Sequence, residues 1–102
     1  AMQLEDLGFC EKGKIKEFIN KTDFTITGDL PLNTNGGQLS AGQAGAAGGY
    51  QNVTEALRQA IKQPLGHQIP NSSIGLISGF GMVNYDRGVC TGAVVIEADN
   101  IR

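Results

Sequence analysis

The sequence predicts an α/β fold in which one long helix packs on a sheet that ends in two adjacent strands. Apolar residues recur at helical spacing in QNVTEALRQAIKQ, residues 51–63, whereas SIGLISGFG and TGAVVIEA are short apolar runs rich in β-branched residues. Helices come first and strands last, an order that excludes a helical bundle and a β-sandwich. A chain of 102 residues, 40% of them hydrophobic, fits one small globular domain.

The first third of the chain predicts short elements. A helix is predicted over residues 1–9, AMQLEDLGF, with Gly8 at its end. A second helix is predicted over residues 13–21, GKIKEFINK, with its lysines facing outward. In residues 23–29, DFTITGD, apolar and polar residues alternate, which predicts a short strand or an extended arm.

The middle of the chain predicts a turn and then the long helix. Pro31 favours extended backbone before it, and Asn35–Gly36 favours a turn. The glycine-rich residues 42–49 lead into a helix that runs to about Gln63. The predicted apolar stripe of this helix consists of Val53, Ala56, Leu57, Ala60 and Ile61.

The last third predicts two strands and a loop between them. The second strand, residues 91–98, is nearly continuous in apolar character, as expected for a strand buried on both faces. Residues 82–90, MVNYDRGVC, are predicted to form a polar connecting loop.

Composition excludes several classes of function. The net charge is -2 and no block of lysine or arginine provides a footprint for nucleic acid. No apolar run is long enough to cross a membrane and no secretory leader is visible, so we expect a cytoplasmic protein. Cys10 and Cys90 do not form a zinc-binding spacing, so no metal site is predicted, and His67 lies in a predicted surface loop.

The concentration of glycine and alanine before the long helix has two interpretations. A glycine-rich tract is typical of a flexible linker. It also lets a helix start approach another backbone or a ligand closely, because glycine adopts positive φ and the free N–H groups of a helix start favour negative charge.

Three blocks, taken in order, resemble the C-terminal end of the thiolase superfamily, in particular its sterol carrier protein/thiolase-type and acetyl-CoA acetyltransferase-like branch. They are residues 4–13, LEDLGFCEKG, residues 30–49, LPLNTNGGQLSAGQAGAAGG, and residues 76–97, LISGFGMVNYDRGVCTGAVVIE. The middle block is similar to the family's Asn-x-x-Gly-Gly block, which opens a helix beside the reaction centre. The resemblance covers nearly the whole chain and implies one partial C-terminal domain over residues 1–102.

The resemblance also implies which residues act. Family members use a cysteine nucleophile from their N-terminal half and an Asn or His shortly before the region that this chain covers, which implies that the chain is a fragment or one part of a split enzyme. They also use a histidine in Gly-His-Pro and a cysteine in Cys-x-Gly. Gly42-Gln43-Ala44 stands at the first motif, and Cys90 superficially matches the second.

The resemblance therefore implies Cys90 and Gln43 as catalytic residues, although a carboxamide is no general base and holds an oxyanion or a water instead. A polar helix residue at Gln43 and a buried structural thiol at Cys90 are the alternatives. The residues implied to bind substrate are Asn33, Gly36, Gly37, Gly42 and Tyr50.

The implied function is that of a C-terminal segment of a thiolase-like acyl-CoA acyltransferase, with Claisen or thiolysis chemistry in lipid metabolism. Such a segment is inactive alone and becomes an enzyme when an N-terminal half completes it. A fatty or sterol-derived acyl-CoA is the implied substrate, and no cofactor is implied. The implied partner is a second copy or a complementary thiolase half. Two alternatives remain: a non-catalytic module that binds CoA esters or a partner subunit, and a carbon–carbon lyase in which Tyr50 or Tyr85 donates a proton.

Overall fold

The computed structural model of the chain describes residues 1–43 and 45–99. Contacts divide the chain into two compact units, residues 1–32 and residues 33–102. Both units contain short helices, and the second unit also contains a two-stranded antiparallel sheet. The predicted α/β class is confirmed.

Helix α1, Met2–Asp6, opens the first unit and ends two residues before Gly8, the glycine predicted to end it. Gly8 adopts a φ of 86°, which a glycine reaches without steric cost. The Gly8 N–H donates to the carbonyl of Glu5 at 3.1 Å and the Phe9 N–H donates to the carbonyl of Leu4 at 3.1 Å. These bonds satisfy the last carbonyls of the helix, as in a left-handed helix terminus.

Helix α2, Ile15–Lys21, also lies where the sequence predicts it. The ring of Phe18 on this helix lies 6.5 Å from the ring of Phe9 and 6.0 Å from the ring of Phe24, the latter edge-on. Aromatic rings at these separations attract one another through their quadrupoles. This aromatic cluster holds α2 to its two flanking segments.

Residues 23–29 form a turn, so the predicted short strand is wrong. The Thr25 N–H donates to Asp23 Oδ1 at 2.9 Å, and the Gly28 N–H donates to the Thr25 carbonyl at 3.0 Å. The Leu30 N–H then donates to the Asp23 carbonyl at 3.0 Å and closes the turn. An aspartate side chain that bonds to the backbone two residues later competes with strand pairing, and here it prevails over the alternation of residues.

The second unit begins with the predicted turn and two short helical segments. The Gly36 N–H donates to the Asn33 carbonyl at 2.8 Å, which confirms the turn at Asn35–Gly36. Helix α3 spans Gly37–Ala41, and a 3₁₀ helix spans Gly45–Gly49. The described part of the glycine-rich stretch is therefore mainly helical rather than a loose linker; Ala44 lies outside the described residues.

Helix α4, Tyr50–Ala60, follows the 3₁₀ helix directly and ends slightly before the predicted boundary. Lys62, with a φ of 58°, turns the chain, and the Gln63 N–H donates to the Arg58 carbonyl at 2.8 Å. The predicted apolar stripe is partly wrong, since Leu57 and Ile61 are exposed whereas Gln59 is buried, at 4% exposure. The face with Ala56 and Gln59 turns inward because bonds to Gln59 fix the helix's rotation.

Strands β1, Ile74–Asn84, and β2, Arg87–Glu97, form an antiparallel hairpin. The prediction of a polar loop over residues 82–90 is wrong, because these residues extend both strands. Only Tyr85 and Asp86 lie outside them, and their φ values of 47° and 60° are those of a two-residue hairpin turn of type I′. The twist of such a turn matches that of the strands, so pairing continues up to Asn84 and Arg87.

The hairpin has apolar residues open on both faces. A Cβ atom placed on Gly75 would lie 3.9 Å from the Ala56 Cβ, so α4 approaches the face that carries Gly75. The neighbouring residues Val94 and Val95 point to opposite faces and are 58% and 65% exposed. The prediction that the second strand is buried on both faces is therefore wrong. No apolar side chain that the structure describes is buried.

A membrane span would need a long apolar helix, and residues 1–43 and 45–99 contain none.

Candidate functional site

The turn before α3 has a backbone that only a few residue types adopt. Asn33 has a φ of 50°, Gly36 of 80° and Gly37 of 72°. A Cβ on Gly36 would lie 2.6 Å from Ser40 Oγ, so a side chain there would be strained and would also clash. The Gly37 N–H donates to Asn35 Oδ1 at 2.8 Å, which fixes the end of the turn. The residue types in this turn are therefore those that its backbone conformation favours.

An open pocket of about 360 Å³ lies between this turn, helix α3 and the first turn of α4. Three residues predicted to bind substrate thus come together here, and two carboxamide side chains that the sequence analysis missed join them. A high density of Asn and Gln in residues 33–52 is the sequence signal that could have identified these two. The pocket is lined by Asn33, Gly36, Gly37, Gln38, Leu39 and Asn52.

Gly42 and Gln43, which stand at the Gly-His-Pro position, lie beside this pocket without lining it. Gly42 has a φ of 88°, and its carbonyl accepts a bond from Gln51 Nε2 at 2.6 Å. The side chain of Gln43 packs over Gly48, where a Cβ would lie 2.9 Å from Gln43 Cγ and 3.3 Å from Gln38 Nε2. The missing side chain at Gly48 therefore makes room for two glutamines.

Tyr50 and Cys90 lie on other elements. Tyr50 is the first residue of α4 and is 70% exposed. Cys90 lies in β2 opposite Gly81 and is an exposed, free thiol. Neither side chain lines the pocket. The catalytic roles of Cys90 and Gln43, and the binding roles of Gly42 and Tyr50, stay predictions.

Cys10, in the first unit, is held in its protonated form. Desolvation, followed by the nearby carboxylate of Glu5, raises the pKa of the Cys10 thiol, while Lys12 opposes the shift. The attacking species in thiol chemistry is the thiolate, so a raised pKa makes Cys10 a poor nucleophile near neutral pH.

A hydrogen-bond network behind the pocket was not predicted. Thr34 Oγ1 donates to Glu55 Oε1 at 2.7 Å, and Gln59 Nε2 donates to the same oxygen at 3.0 Å. The Thr34 hydroxyl thereby joins the pocket turn to α4. The spacing of apolar residues does not predict this network, because it assigns a glutamine on a helix to the solvent-exposed face.

The network continues from Gln59 into the segment before β1. Gln59 Nε2 donates to the His67 carbonyl at 2.8 Å, and Gln59 Oε1 accepts from the Ile69 N–H at 2.9 Å. Gln68 Nε2 donates to Gln59 Oε1 at 3.0 Å, and Ser72 Oγ donates to the Gln59 carbonyl at 3.2 Å. A buried carboxamide with this many partners is stabilising, whereas an unpaired one would be costly. This network fixes the end of α4 to the start of the hairpin.

The described part of the chain contains no cluster of side chains that could bind a metal ion. Residues 1–43 and 45–99 contain no group of three or more His, Cys, Asp or Glu side chains placed to hold an ion.

The fold and the pocket define an α/β segment in which a glycine-rich, carboxamide-lined turn opens onto a helix beside a hairpin. The family described as "Thiolase C-terminal domain-like" matches residues 1–91. The chain belongs to this family, which confirms the resemblance drawn from the sequence. The match extends over both compact units, and the prediction of a single partial domain over residues 1–102 stays a prediction.

Three relatives are similar to parts of this chain. A 17-hydroxy-3-oxo-4-pregnene-20-carboxyl-CoA lyase of Mycobacterium tuberculosis is 47% identical over 58 residues, which are 57% of this chain and 14% of the lyase. A steroid side-chain-cleaving aldolase of Thermomonospora curvata is 40% identical over 63 residues, 61% of this chain and 16% of the aldolase. An acetyl-CoA acetyltransferase of Methanothermobacter thermautotrophicus is 30% identical over 80 residues, 78% of this chain and 21% of that enzyme.

The aligned part of the chain therefore spans at most about a fifth of the length of these relatives. No solved structure matches the chain.

Proposed function

We propose that the chain is the C-terminal segment of a thiolase-like acyl-CoA acyltransferase and shapes the site that receives a CoA thioester. Family membership and the similarity to the Methanothermobacter acetyltransferase support this proposal. The observation that carries it is the pocket, because Asn33, Gly36 and Gly37 of the family's Asn-x-x-Gly-Gly block line it together.

Acyl transfer needs a thiolate nucleophile and a group that accepts its proton. In the described part of the chain no cysteine thiol is hydrogen-bonded to an imidazole or a carboxylate. The carboxamide of Gln43 donates hydrogen bonds and has no useful basicity. The proposed role of Gln43 is therefore to hold an oxyanion, with the nucleophile and base supplied by the rest of the enzyme.

The proposal includes an assembly in the cytoplasm that acts on fatty or sterol-derived acyl-CoA. Apolar residues remain exposed on the hairpin and on α4, and a partner that covers them would bury the surface that a small domain leaves open. That partner is a second copy or a complementary thiolase half.

A chimera tests the acyltransferase proposal. The matched segment of the Methanothermobacter enzyme is replaced by the aligned residues of this chain, and thiolysis of acetoacetyl-CoA is measured with and without Gln43→His. We expect the chimera with Gln43 to show turnover, and the chain alone to show none. Turnover that appears only with Gln43→His would reject acyl transfer, because a positioned base contributes roughly 10² to 10⁴ in rate.

A carbon–carbon lyase is the second candidate function. The names of two relatives, a carboxyl-CoA lyase and a side-chain-cleaving aldolase, favour it. In such a reaction a base takes the hydroxyl proton, the adjacent carbon–carbon bond breaks, and the resulting thioester enolate takes up a proton. Tyr50, directly after Gly48–Gly49, is the proposed proton donor.

The lyase candidate is tested in a second chimera, with this chain's residues in the Mycobacterium lyase. Tyr50→Phe is expected to lower its turnover by roughly 10²-fold or more, as the loss of a general acid does. Tyr85→Phe tests the other candidate donor, which lies at the exposed hairpin turn, and should leave turnover unchanged. Turnover that Tyr50→Phe leaves unchanged would remove Tyr50 from the mechanism, and a loss with Tyr85→Phe alone would assign the proton to Tyr85.

The non-catalytic alternative rests on Gln43 in place of a histidine. If both chimeras are inactive and CoA, acetyl-CoA or a long-chain acyl-CoA raises the melting temperature of the chain, binding without catalysis is the function.

A further inference from the structure

Gly42 lies between helix α3 and Gln43 and is hydrogen-bonded on both sides. Its φ of 88° and ψ of 172° lie in a region of backbone conformation that only glycine populates readily. The Gly42 N–H donates to the Gln38 carbonyl of α3 at 2.8 Å, and the Gly42 carbonyl accepts from Gln51 Nε2 of α4 at 2.6 Å. The first bond belongs to the end of α3, whereas the second comes from a side chain of another helix.

The bond from Gln51 fixes the peptide group between residues 42 and 43. Glycine rotates about ψ more freely than other residues because it has no Cβ. Gly42 is also exposed, so without Gln51 its carbonyl would bond to water in other orientations. Such a rotation changes the direction in which the backbone continues to Gln43. The side chain of Gln51 therefore determines where the backbone places Gln43.

The side chain of Gln43 depends on this backbone placement. Its Cγ packs over Gly48, where an added Cβ would lie 2.9 Å from it. Its carboxamide makes no hydrogen bond with any other residue that the structure describes. The orientation of Gln43 therefore follows from its backbone and from the contact with Gly48.

The other polar atom of the Gln51 side chain has no partner. Gln51 Oε1 is buried and accepts no hydrogen bond in the described part of the chain. An unpaired buried acceptor costs free energy, which offsets the contribution of the Nε2 bond. The Gln51 side chain therefore adds little to stability, and its main effect is on the orientation of the Gly42 carbonyl.

We infer that Gln51 is a positioning residue, which holds the Gly42 carbonyl and thereby orients the carboxamide of Gln43 towards the oxyanion of the thioester reaction. The inference rests on the proposed function, because it assigns the residue that places the proposed oxyanion-holding group. Gln51 acts through Gln43 and transfers no proton, since a carboxamide has no useful basicity.

NMR spectra of the chain test the placement of Gln43. Gln51→Met keeps the length of the side chain and removes both its donor and its unpaired acceptor. We expect the backbone amide signal of Gln43 to shift in this variant, because a bond to the Gly42 carbonyl polarises that peptide group. The melting temperature should change little, and the rest of the spectrum checks that the variant folds.

Gln51→Glu supplies a second, reversible test of the same bond. A carboxylate cannot donate to the Gly42 carbonyl, whereas a protonated carboxyl can. We expect the Gln43 signal of this variant to be shifted at neutral pH. It should return to the wild-type position at the same pH once the pH falls below about 4, where a glutamate side chain becomes protonated. A role in packing alone would not produce this recovery.

The Methanothermobacter chimera tests the catalytic consequence. Gln51→Met should lower kcat for acetoacetyl-CoA thiolysis roughly ten- to a hundredfold and leave KM unchanged, because a misplaced oxyanion donor weakens binding of the transition state only. The double variant with Gln43→Ala should be no slower than Gln43→Ala alone, because residues that act through one group are not additive. Gln63→Ala removes an exposed carboxamide after α4 and is the control, with kcat unchanged.

The outcomes separate this inference from the proposed function. An unmoved Gln43 signal in Gln51→Met, or a kcat equal to that of the unsubstituted chimera, overturns the inference while acyl transfer stands. A double variant that is slower than Gln43→Ala by the full factor of Gln51→Met also overturns it, because Gln51 would then act independently. An inactive unsubstituted chimera instead rejects acyl transfer, and the catalytic role of Gln51 falls with it, whatever the Gln43 signal shows.

Discussion

Gly36, in the turn before α3, and Gly49, at the end of the glycine-rich residues 42–49, meet different steric limits. Gly36 has a φ of 80° and has Ser40 within reach of any Cβ, whereas Gly49 has a φ of -64° and open space around it. Only the first position therefore depends on glycine for its backbone conformation.

We expect Gly36→Ala to lower the free energy of unfolding by about 1–2 kcal/mol, because alanine resists a left-handed conformation. Gly49→Ala should raise it by about 0.4–1 kcal/mol, because it restricts the unfolded chain. Urea unfolding of both variants at one protein concentration measures the difference. Equal effects would mean that the turn at Gly36 relaxes freely.

Thr34 joins the pocket turn to α4 through its hydroxyl group. Thr34→Val keeps the shape of the side chain and removes the bond to Glu55, so we expect a loss of about 1–2 kcal/mol in unfolding free energy. Thr34→Ser should restore most of that loss. Thr54→Val, at an exposed position of α4, is the matched control and should change stability little. An equal effect of the two valine variants would show that the hydroxyl is not what matters.

Asp23 gives the first turn a dependence on pH. Bonds from Thr25 lower the pKa of the Asp23 carboxyl below its ordinary value of 3.8. Because the folded pKa is the lower one, the carboxylate stabilises the turn above the unfolded pKa, and this contribution is lost as the pH falls through the folded pKa. We expect the Thr25 amide to lose its exchange protection in that acid range and Asp23→Asn to remove the dependence. A Thr25 amide that is equally protected at pH 5 and pH 2 would contradict this.

At the scale of elements, the hairpin turn is the weakest match between residue type and conformation. Tyr85 and Asp86 both adopt positive φ, which Asn-Gly satisfies better. We expect Asp86→Gly to raise the unfolding free energy by roughly 0.5–1 kcal/mol and Asp86→Pro, which cannot adopt positive φ, to lower it. Thermal unfolding measures both, and a stabilising proline would reject the type I′ turn.

The hairpin also shows what sequence reasoning could find. The two apolar runs at residues 73–81 and 91–98 predict strands because β-branched residues are concentrated there, and strands are present. Tyr85-Asp86 does not carry the usual turn signal, so the connection was predicted as a loop. Helices α1 and α2 were predictable because local periodicity and Gly8 determine them.

The candidate site was predictable only where a motif marks it. Asn33, Gly36 and Gly37 belong to a recognisable block, and the structure brings them together. Asn52 lines the pocket with residues 33–39, Gln59 bonds to residues 67–69, and the spacing of apolar residues contains no information on such proximity. Burial of Gln59 rather than Leu57 results from the hydrogen bonds to the segment before β1, not from the helix's own pattern.

At the scale of the whole molecule, exposed apolar surface on the hairpin predicts self-association. Val95 is 65% exposed on a strand that the sequence predicts as buried. We expect light scattering at micromolar concentration to show an assembly larger than a monomer. Val95→Lys should weaken association roughly ten- to a hundredfold, because a buried valine contributes about 1.5–3 kcal/mol. Asn20→Lys adds the same charge at an exposed position of α2 as a control, and a monodisperse monomer before any substitution would contradict the expectation.

The bonds around Gln59 also constrain the length of the connection between helix and hairpin. The Gln59 carboxamide donates to the His67 carbonyl and accepts from the Ile69 N–H, and the Gln59 carbonyl accepts from the Ser72 hydroxyl. The number of residues between α4 and each of these three partners is therefore fixed. Residues 64–66 carry no such requirement and are mostly exposed, whereas the N–H groups of residues 61–63 bond to carbonyls of α4. Extra residues are therefore tolerable before His67, whereas a single insertion between His67 and Ser72 would shift every later partner by one place.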